Sequence, residues 1–233
     1  MNVALILAGG TDPKFQMNVP KQFVNVNDRP VIVYTLEVFQ NHPAIDMIIV
    51  SCLNGWQEMV RAYAKQFKIS KLEKIVQGGL FGQDSSYNGI IALEEICRKG
   101  DIIVVHDAIR PLVSQQMVSN SIQVCRENGM GVAAVNSMDT IMRLGEGRTG
   151  VQSINRYEVM RIQTPQSYEY ELLKNSHEEA IEREIRNQFD VNSMMSALGK
   201  TIYFSQGSDL NLKINTIEDI EMFRVLYRMK ENT

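Results

Sequence analysis

The chain has 233 residues, of which 44% are hydrophobic and 22% charged, with a formal net charge of −3. That length can bury one large core, and the slightly acidic balance excludes a general nucleic-acid binder, which carries an obvious basic footprint. No apolar run approaches the roughly 18 residues of a membrane span, and the first one has no basic segment before it and stops at a glycine pair, so a cytoplasmic protein without signal peptide is expected.

The first element is a strand, Val3–Leu7, which enters a loop bearing Ala8, Gly9 and Gly10. Small residues at a strand end let backbone N–H groups approach a phosphate or base closely. Lys14 and Lys21 in the same loop bring positive charge. The loop is neither a P-loop nor the dinucleotide fingerprint, since GK[ST] and Gly-x-Gly-x-x-Gly are both absent. Further apolar runs follow at Met47–Cys52, Lys74–Val76, Ile102–Val105, Gly131–Val135 and Thr201–Phe204. Between and after them lie helical stretches at about 31–41, 55–68, 84–98, 114–128, 169–186 and 216–230. In the second helix Trp56, Met59, Val60, Tyr63, Ala64 and Phe67 share one face. Thr216 and Asp219 suit a capping box for the last helix. Apolar strands separated by helices predict an α/β fold, a mostly parallel sheet covered on both faces. Thr140–Arg143 and Val151–Ile154, around a glycine-rich turn, predict a β-hairpin. With no repeat or linker visible, residues 1–233 are expected to form one domain with an arm at about 138–156, whose edges a second subunit could cover. Cys52, Cys97 and Cys125 are scattered and odd in number, and read as buried thiols in a reducing compartment.

Ligands of doubly wound sheets sit outside the carboxyl ends of the strands. Three polar clusters fall there: residues 8–21, Gly78-Gly79 with Ser85, and His106-Asp107-Ala108-Ile109-Arg110-Pro111. Asp107 could hold Mg²⁺, which takes one or two carboxylates and leaves the rest to phosphates and water, and Arg110 could steady a phosphate. Equally, Asp107 could cap the next turn and pair with Arg110. Gly78-Gly79 could be a plain turn, and Lys21 a solvated lysine. His106 is expected to be packed or hydrogen-bonded rather than a base, and His42 and His177 to lie on the surface.

In order, these motifs resemble the cytidylyltransferases that activate sugar-alcohol phosphates. That group includes the methylerythritol-phosphate enzyme of isoprenoid synthesis and the ribitol-5-phosphate enzyme of cell-wall and capsule synthesis. The matching stretches begin with Ala8-Gly9-Gly10, Pro20-Lys21-Gln22-Phe23, Gly78-Gly79 with Ser85 and Asn88-Gly89, and His106 to Pro111. They continue with Asp139-Thr140, Arg156, Gln163-Thr164-Pro165-Gln166 and Asn211-Leu212-Lys213-Ile214. The resemblance implies a Rossmann-like fold with an arm exchanged in a homodimer. It implies attack by a polyol phosphate on the α-phosphorus of CTP, with Mg²⁺, releasing pyrophosphate. Lys21, Lys14, Lys213 and Asp107 would carry the chemistry, with Asp107 also placing the metal. Ala8, Gly9, Gly10, Gly79, Ser85 and Ala108 would hold the nucleotide. Arg110, Asp139, Thr140, Arg156 and Thr164 would receive the polyol phosphate, some of them across the dimer.

Leu7-Ala8-Gly9-Gly10, Asp28-Arg29-Pro30, Trp56 and the Asn-Leu-Lys-Ile stretch favour ribitol 5-phosphate as acceptor, giving CDP-ribitol, with 2-C-methyl-D-erythritol 4-phosphate as the alternative. The chain also departs from the pattern. Asp12 replaces a glycine, Lys14 and Gly82 stand where arginines are usual, and Phe189-Asp190 replaces Thr-Asp. A catalytically silent nucleotide-binding homologue is the reading of another class that these changes allow.

Overall fold

A computed structural model describes residues 1–10, 15 and 19–231. The elements run β1 (Asn2–Ala8), β2 (Asn25–Val26), β3 (Arg29–Pro30), α1 (Val31–Gln40), β4 (Met47–Cys52), α2 (Gln57–Gln66), β5 (Leu72–Gln77), α3 (Gly82–Ile91) and β6 (Ile102–Asp107). There follow α4 (Gln115–Asn128), β7 (Met130–Asn136), β8 (Ile141–Leu144), β9 (Gly150–Ile154), β10 (Met160–Glu169), α5 (Tyr170–Glu182), α6 (Val191–Ala197), β11 (Phe204–Gln206) and α7 (Ile217–Glu231).

Seven strands form one sheet in the order β11-β7-β10-β6-β1-β4-β5. All neighbours are parallel except β10, which runs antiparallel to both β6 and β7. The expected mostly parallel α/β sheet is therefore present. β1 explains its own central place: every residue but one is buried, as a strand covered on both faces requires. Its side chains alternate between two cores. Ala4, Ile6 and Ala8 join Phe39, Val60 and Val118 on one face. Val3 and Leu5 join Ile90, Leu173 and Met194 on the other. A third cluster packs Ile220 and Phe223 of α7 against Val26, Val31 and Tyr34.

Local chemistry sets the helix ends. Ser114 accepts the Met117 N–H at 3.2 Å and opens α4, and Gly129 closes it with φ of 83° in the left-handed region glycine tolerates. Thr216 and Asp219 cap α7 reciprocally, Asp219 Oδ2 accepting from Thr216 N at 2.9 Å and Thr216 Oγ1 from Asp219 N at 3.3 Å. At Gly131 a Cβ would stand 2.3 Å from the Ser121 carbonyl oxygen, so β7 and α4 meet backbone to backbone. Gly131→Ala should therefore cost about 1–3 kcal/mol by overpacking. Thermal unfolding reads this as a fall of about 2–4 °C per kcal/mol; an unchanged Tm would mean that α4 moves aside freely.

Several sequence expectations are corrected. The 84–98 helix stops at Ile91 and continues as turns that bury Leu93 and Cys97. The Thr201–Phe204 strand is displaced to Phe204–Gln206. The 169–186 helix ends at Glu182, and α6 follows it unannounced. Met59 lies outside the buried stripe of α2, 44% exposed. His42 and His177 are not on the surface but 1% exposed each. His42 is held by Ser119 Oγ at 3.0 Å and the Ala44 N–H at 3.1 Å, and His177 by Ser86 Oγ at 3.1 Å. Ser119 and Ser86 lie 77 and 91 positions along the chain from their histidines, out of reach of a local reading. The three cysteines are free and buried. Residues 141–154 form the expected hairpin, a separate two-stranded sheet of β8 and β9. Among the described residues no helix is long and apolar enough to cross a membrane.

Candidate functional site

A cavity of about 520 Å³ opens at the carboxyl ends of β1 and β6, between the loop after β5 and residues 162–166 of β10. One end of it is backbone. A Cβ on Gly78 would lie 2.8 Å from Gly9 Cα, so the loops after β1 and β5 touch where only glycine fits. Ser85 Oγ accepts the Gly79 N–H at 3.0 Å. Gln22 donates from Nε2 to the carbonyls of Ala8 at 2.8 Å and Gly10 at 3.2 Å, which ties the Pro-Lys-Gln segment to the end of β1. Ala8, Gly9, Gly10, Gly79 and Ser85 all line the cavity. Ala108 does not. Fully buried, it donates its N–H to Leu7 O at 3.0 Å and accepts from Thr35 Oγ1 at 2.8 Å, behind the wall.

The other end is charged. Asp107, the last residue of β6, receives Arg110 Nε at 3.1 Å and Lys213 Nζ at 3.0 Å on the same oxygen, Oδ2. Burial by itself would raise the Asp107 pKa; Lys213 and Arg110 together outweigh it and hold the carboxyl well below the usual carboxylate range. Arg110 also donates to Asn211 O at 2.8 Å, and Asn211 Nδ2 donates to Thr164 O at 2.8 Å. Thr164 Oγ1 in turn accepts the Asp107 N–H at 3.1 Å. The turn after β6, the β10 segment and the 208–215 loop are thus one hydrogen-bonded unit, on which Asp107, Arg110 and Lys213 are fixed relative to each other. Lys21, 9% exposed, donates from Nζ to Asn215 Oδ1 at 3.2 Å and lines the same cavity. Among the described residues Lys21, Arg110 and Lys213 outnumber the two lining carboxylates, Asp107 and Asp190, which suits the cavity to a polyanion. The Asp107–Arg110 pairing allowed by the sequence is present, and Lys213 joins it.

His106 is fully buried and its Nε2 lies 3.2 Å from Arg110 O, so it holds the turn rather than reaching the cavity. Burial pushes its pKa down to about 4. It is packed and neutral, as expected.

Mg²⁺ needs few protein ligands when phosphates supply the rest. Asp107 suits that role: both described cation contacts fall on Oδ2, and no described group bonds Oδ1. Among the described residues no group of three or more His, Cys, Asp or Glu could hold a metal unaided. A divalent ion here would rest on Asp107 and on the ligand's own phosphates.

Lys14, with Asp12, lies outside the described residues. Asp139, Thr140 and Arg156 are exposed at the root of the hairpin and do not line the cavity of their own chain. Arg156 donates to Met138 O at 3.0 Å and lies over the Tyr157 ring. The residues singled out from sequence omit Asn215, and include Gln22 only as part of the Pro-Lys-Gln stretch, with no role of its own. Each acts by hydrogen-bonding another site element, a role that no motif spacing announces.

The model of the family described as IspD, 2-C-methyl-D-erythritol 4-phosphate cytidylyltransferase, matches residues 2–228. A ribitol-5-phosphate cytidylyltransferase of Lacticaseibacillus paracasei is 39% identical over 233 residues, covering 99% of this chain and 100% of that one. A 2-C-methyl-D-erythritol 4-phosphate cytidylyltransferase of Clostridium botulinum is 31% identical over 219 residues, covering 94% of each. In fold, the crystal structure of 4-diphosphocytidyl-2C-methyl-D-erythritol synthase from Anaerococcus prevotii superposes with a TM-score of 0.83 at 22% identity, over 97% of this chain and 98% of that one.

Proposed function

We propose, for a chain that belongs to the 2-C-methyl-D-erythritol 4-phosphate cytidylyltransferase family, that it is the cytidylyltransferase that moves CMP from CTP to ribitol 5-phosphate, giving CDP-ribitol. The observation that carries the reading is the cavity itself. Arg110 and Lys213 pair with Asp107 and Lys21 lines the cavity beside them, and the backbone of Gly9, Gly10 and Gly79 lines it as well. A nucleoside triphosphate has the same two-part character.

An oxygen of the acceptor phosphate bonds to the α-phosphorus, and the bond from that phosphorus to the pyrophosphate oxygen breaks. No covalent nucleophile is needed, because the attacking phosphate is already anionic; alignment and charge neutralisation supply the rate. Lys21 stabilises the charge that develops at the α-phosphate. Lys213 and Arg110 hold the flanking phosphates while Asp107 keeps them oriented, and Thr164 supplies a hydroxyl beside them. Asp107, together with the triphosphate, would hold Mg²⁺, which would supply further neutralisation of the leaving group. Lys14 adds a cation from the first loop.

The acceptor end is completed by a second copy. Met138, Leu144 and Val151 of the hairpin are 72%, 74% and 62% exposed, an edge and surface that pairing with another subunit would cover. In such a homodimer Asp139, Thr140 and Arg156 of one arm reach the other protomer's acceptor. Identity favours ribitol 5-phosphate over methylerythritol 4-phosphate, 39% against 31%.

The test is pyrophosphate release with CTP and Mg²⁺, with the two polyol phosphates offered in parallel. Turnover of ribitol 5-phosphate at a kcat/KM at least tenfold above methylerythritol 4-phosphate is expected. The reverse preference moves the chain to the isoprenoid reaction. Tight CTP binding without turnover of either would overturn the proposal in favour of the silent homologue.

A further inference from the structure

The part of the cavity between the loop after β5 and the start of α6 carries two large apolar side chains that pack on very little. Phe189 is 85% exposed and Leu80 is 93% exposed, and both line the cavity. The backbone around Phe189, by contrast, is firmly held. Gln83 N donates to Gln188 O at 3.3 Å, Gln83 Nε2 to Ile185 O at 2.8 Å, and Gln188 N returns to Gln83 Oε1 at 3.1 Å. Asp190, next along, caps α6 by accepting the Ser193 N–H at 2.7 Å. The Phe189 ring meets Phe81 edge-on at 6.4 Å.

Gly82 is what permits this. A Cβ there would stand 2.2 Å from the Phe189 carbonyl oxygen, so any other residue would push the 188–190 segment off the start of α3. The absence of a side chain at Gly82 and the position of Phe189 are a single arrangement. An aromatic ring held by a fixed backbone, solvent-exposed and lining a nucleotide-sized cavity beside Gly82, has the properties of a base-stacking platform.

We infer that Phe189 stacks on the pyrimidine ring of the bound nucleotide, held in place by Gly82. The inference rests on the nucleotidyltransferase reading above. It gives the Gly82 position a binding purpose: an aromatic face is gained where a cationic side chain would otherwise stand.

The experiment is titration of the full-length protein and of Phe189→Ala with CTP and, separately, with inorganic tripolyphosphate, which has no base. Stacking predicts that CTP binding weakens about tenfold in the variant, equivalent to about 1.4 kcal/mol, while tripolyphosphate binding is unchanged. Phe189→Trp should restore CTP binding. Gly82→Ala should weaken CTP binding in the same selective way, with thermal unfolding confirming a folded protein. A Phe189→Ala variant that binds CTP as tightly as the parent overturns the inference and leaves the nucleotidyltransferase reading intact. Equal weakening for CTP and tripolyphosphate also overturns it, since it marks a disturbed loop rather than a lost stack. A parent protein that fails to bind CTP at all would overturn both readings.

Discussion

Replacing Lys21 by alanine is expected to lower kcat about 10³-fold while changing the KM for CTP by less than tenfold. The ammonium group is nearly sequestered, with Nζ 3.2 Å from Asn215 Oδ1 and the Arg110 and Lys213 side chains on the same cavity wall. A preorganised cation aimed at charge that develops only during the reaction is worth roughly 10²–10³ in rate, or about 3–4 kcal/mol. Ground-state binding has two further cations to draw on, and so suffers less. The loop itself should survive the substitution, because its neighbours anchor it: Phe23 stacks on Trp56 with centroids 4.5 Å apart, and Gln22 is bonded to the end of β1. Circular dichroism and Tm should be those of the parent. Lys21→Arg should recover only part of the rate, since the planar fork does not reproduce a compact ammonium. Steady-state kinetics of the two variants check this; a Lys21→Ala rate within tenfold of the parent would remove Lys21 from the chemistry.

Stability should fall steeply as the pH drops from about 6.5 towards 4. Burial lowers the pKa of His177 and of His106 to about 4 each, and lowers that of His42 as well. In the unfolded chain a histidine titrates near 6.5. Between the two values the unfolded state binds more protons than the folded one, so folding weakens as pH falls. Each such histidine contributes a slope of about 1.4 kcal/mol per pH unit. Asp107 acts in a different window: its depressed pKa gives stability that is present above about 4 and lost only below it. Denaturant titrations at half-unit pH steps should therefore show uptake of about two protons on unfolding near pH 5. His177→Gln, which keeps a group able to bond Ser86, should remove one of those protons. A slope unchanged in that variant would show that His177 is already charged in the folded protein.

What the sequence made legible was whatever is encoded locally. β1, β4, β6 and β7 are continuous apolar runs, and α4 is bounded by a serine cap and a glycine stop, so both kinds of element announce themselves. The charged end of the site was legible because Asp107 and Arg110 follow a buried strand directly. β10 was not read as a strand, although it sits in the middle of the sheet. Gln163, Thr164, Gln166 and Ser167 are polar yet buried, and Pro165 interrupts the ladder with β7. Their polar groups are satisfied from elsewhere: Gln163 Nε2 donates to Ser208 O at 2.9 Å, and Ser167 Oγ lies 2.7 Å from Ser121 Oγ. His177 was misread for the same reason, since Ser86 lies 91 positions away. Non-local satisfaction of buried polar groups leaves no periodicity behind.

The hairpin departs from the sheet at Asn136 and the chain re-enters at Met160, and these two residues are register partners on adjacent strands. The sheet thus closes behind the hairpin. Whatever happens to residues 137–159, in length or in sequence, the ends remain pinned at one spot by the pairing of β7 with β10. The molecule is accordingly divided into two inheritances. The elements on either side of the hairpin carry the cavity, with Lys21 and Asp107 before it and Thr164 and Lys213 after it; the detour carries Asp139, Thr140 and Arg156, which the proposed function assigns to the acceptor. A lineage can rework the detour and take up a new acceptor without disturbing the machinery that binds its nucleotide.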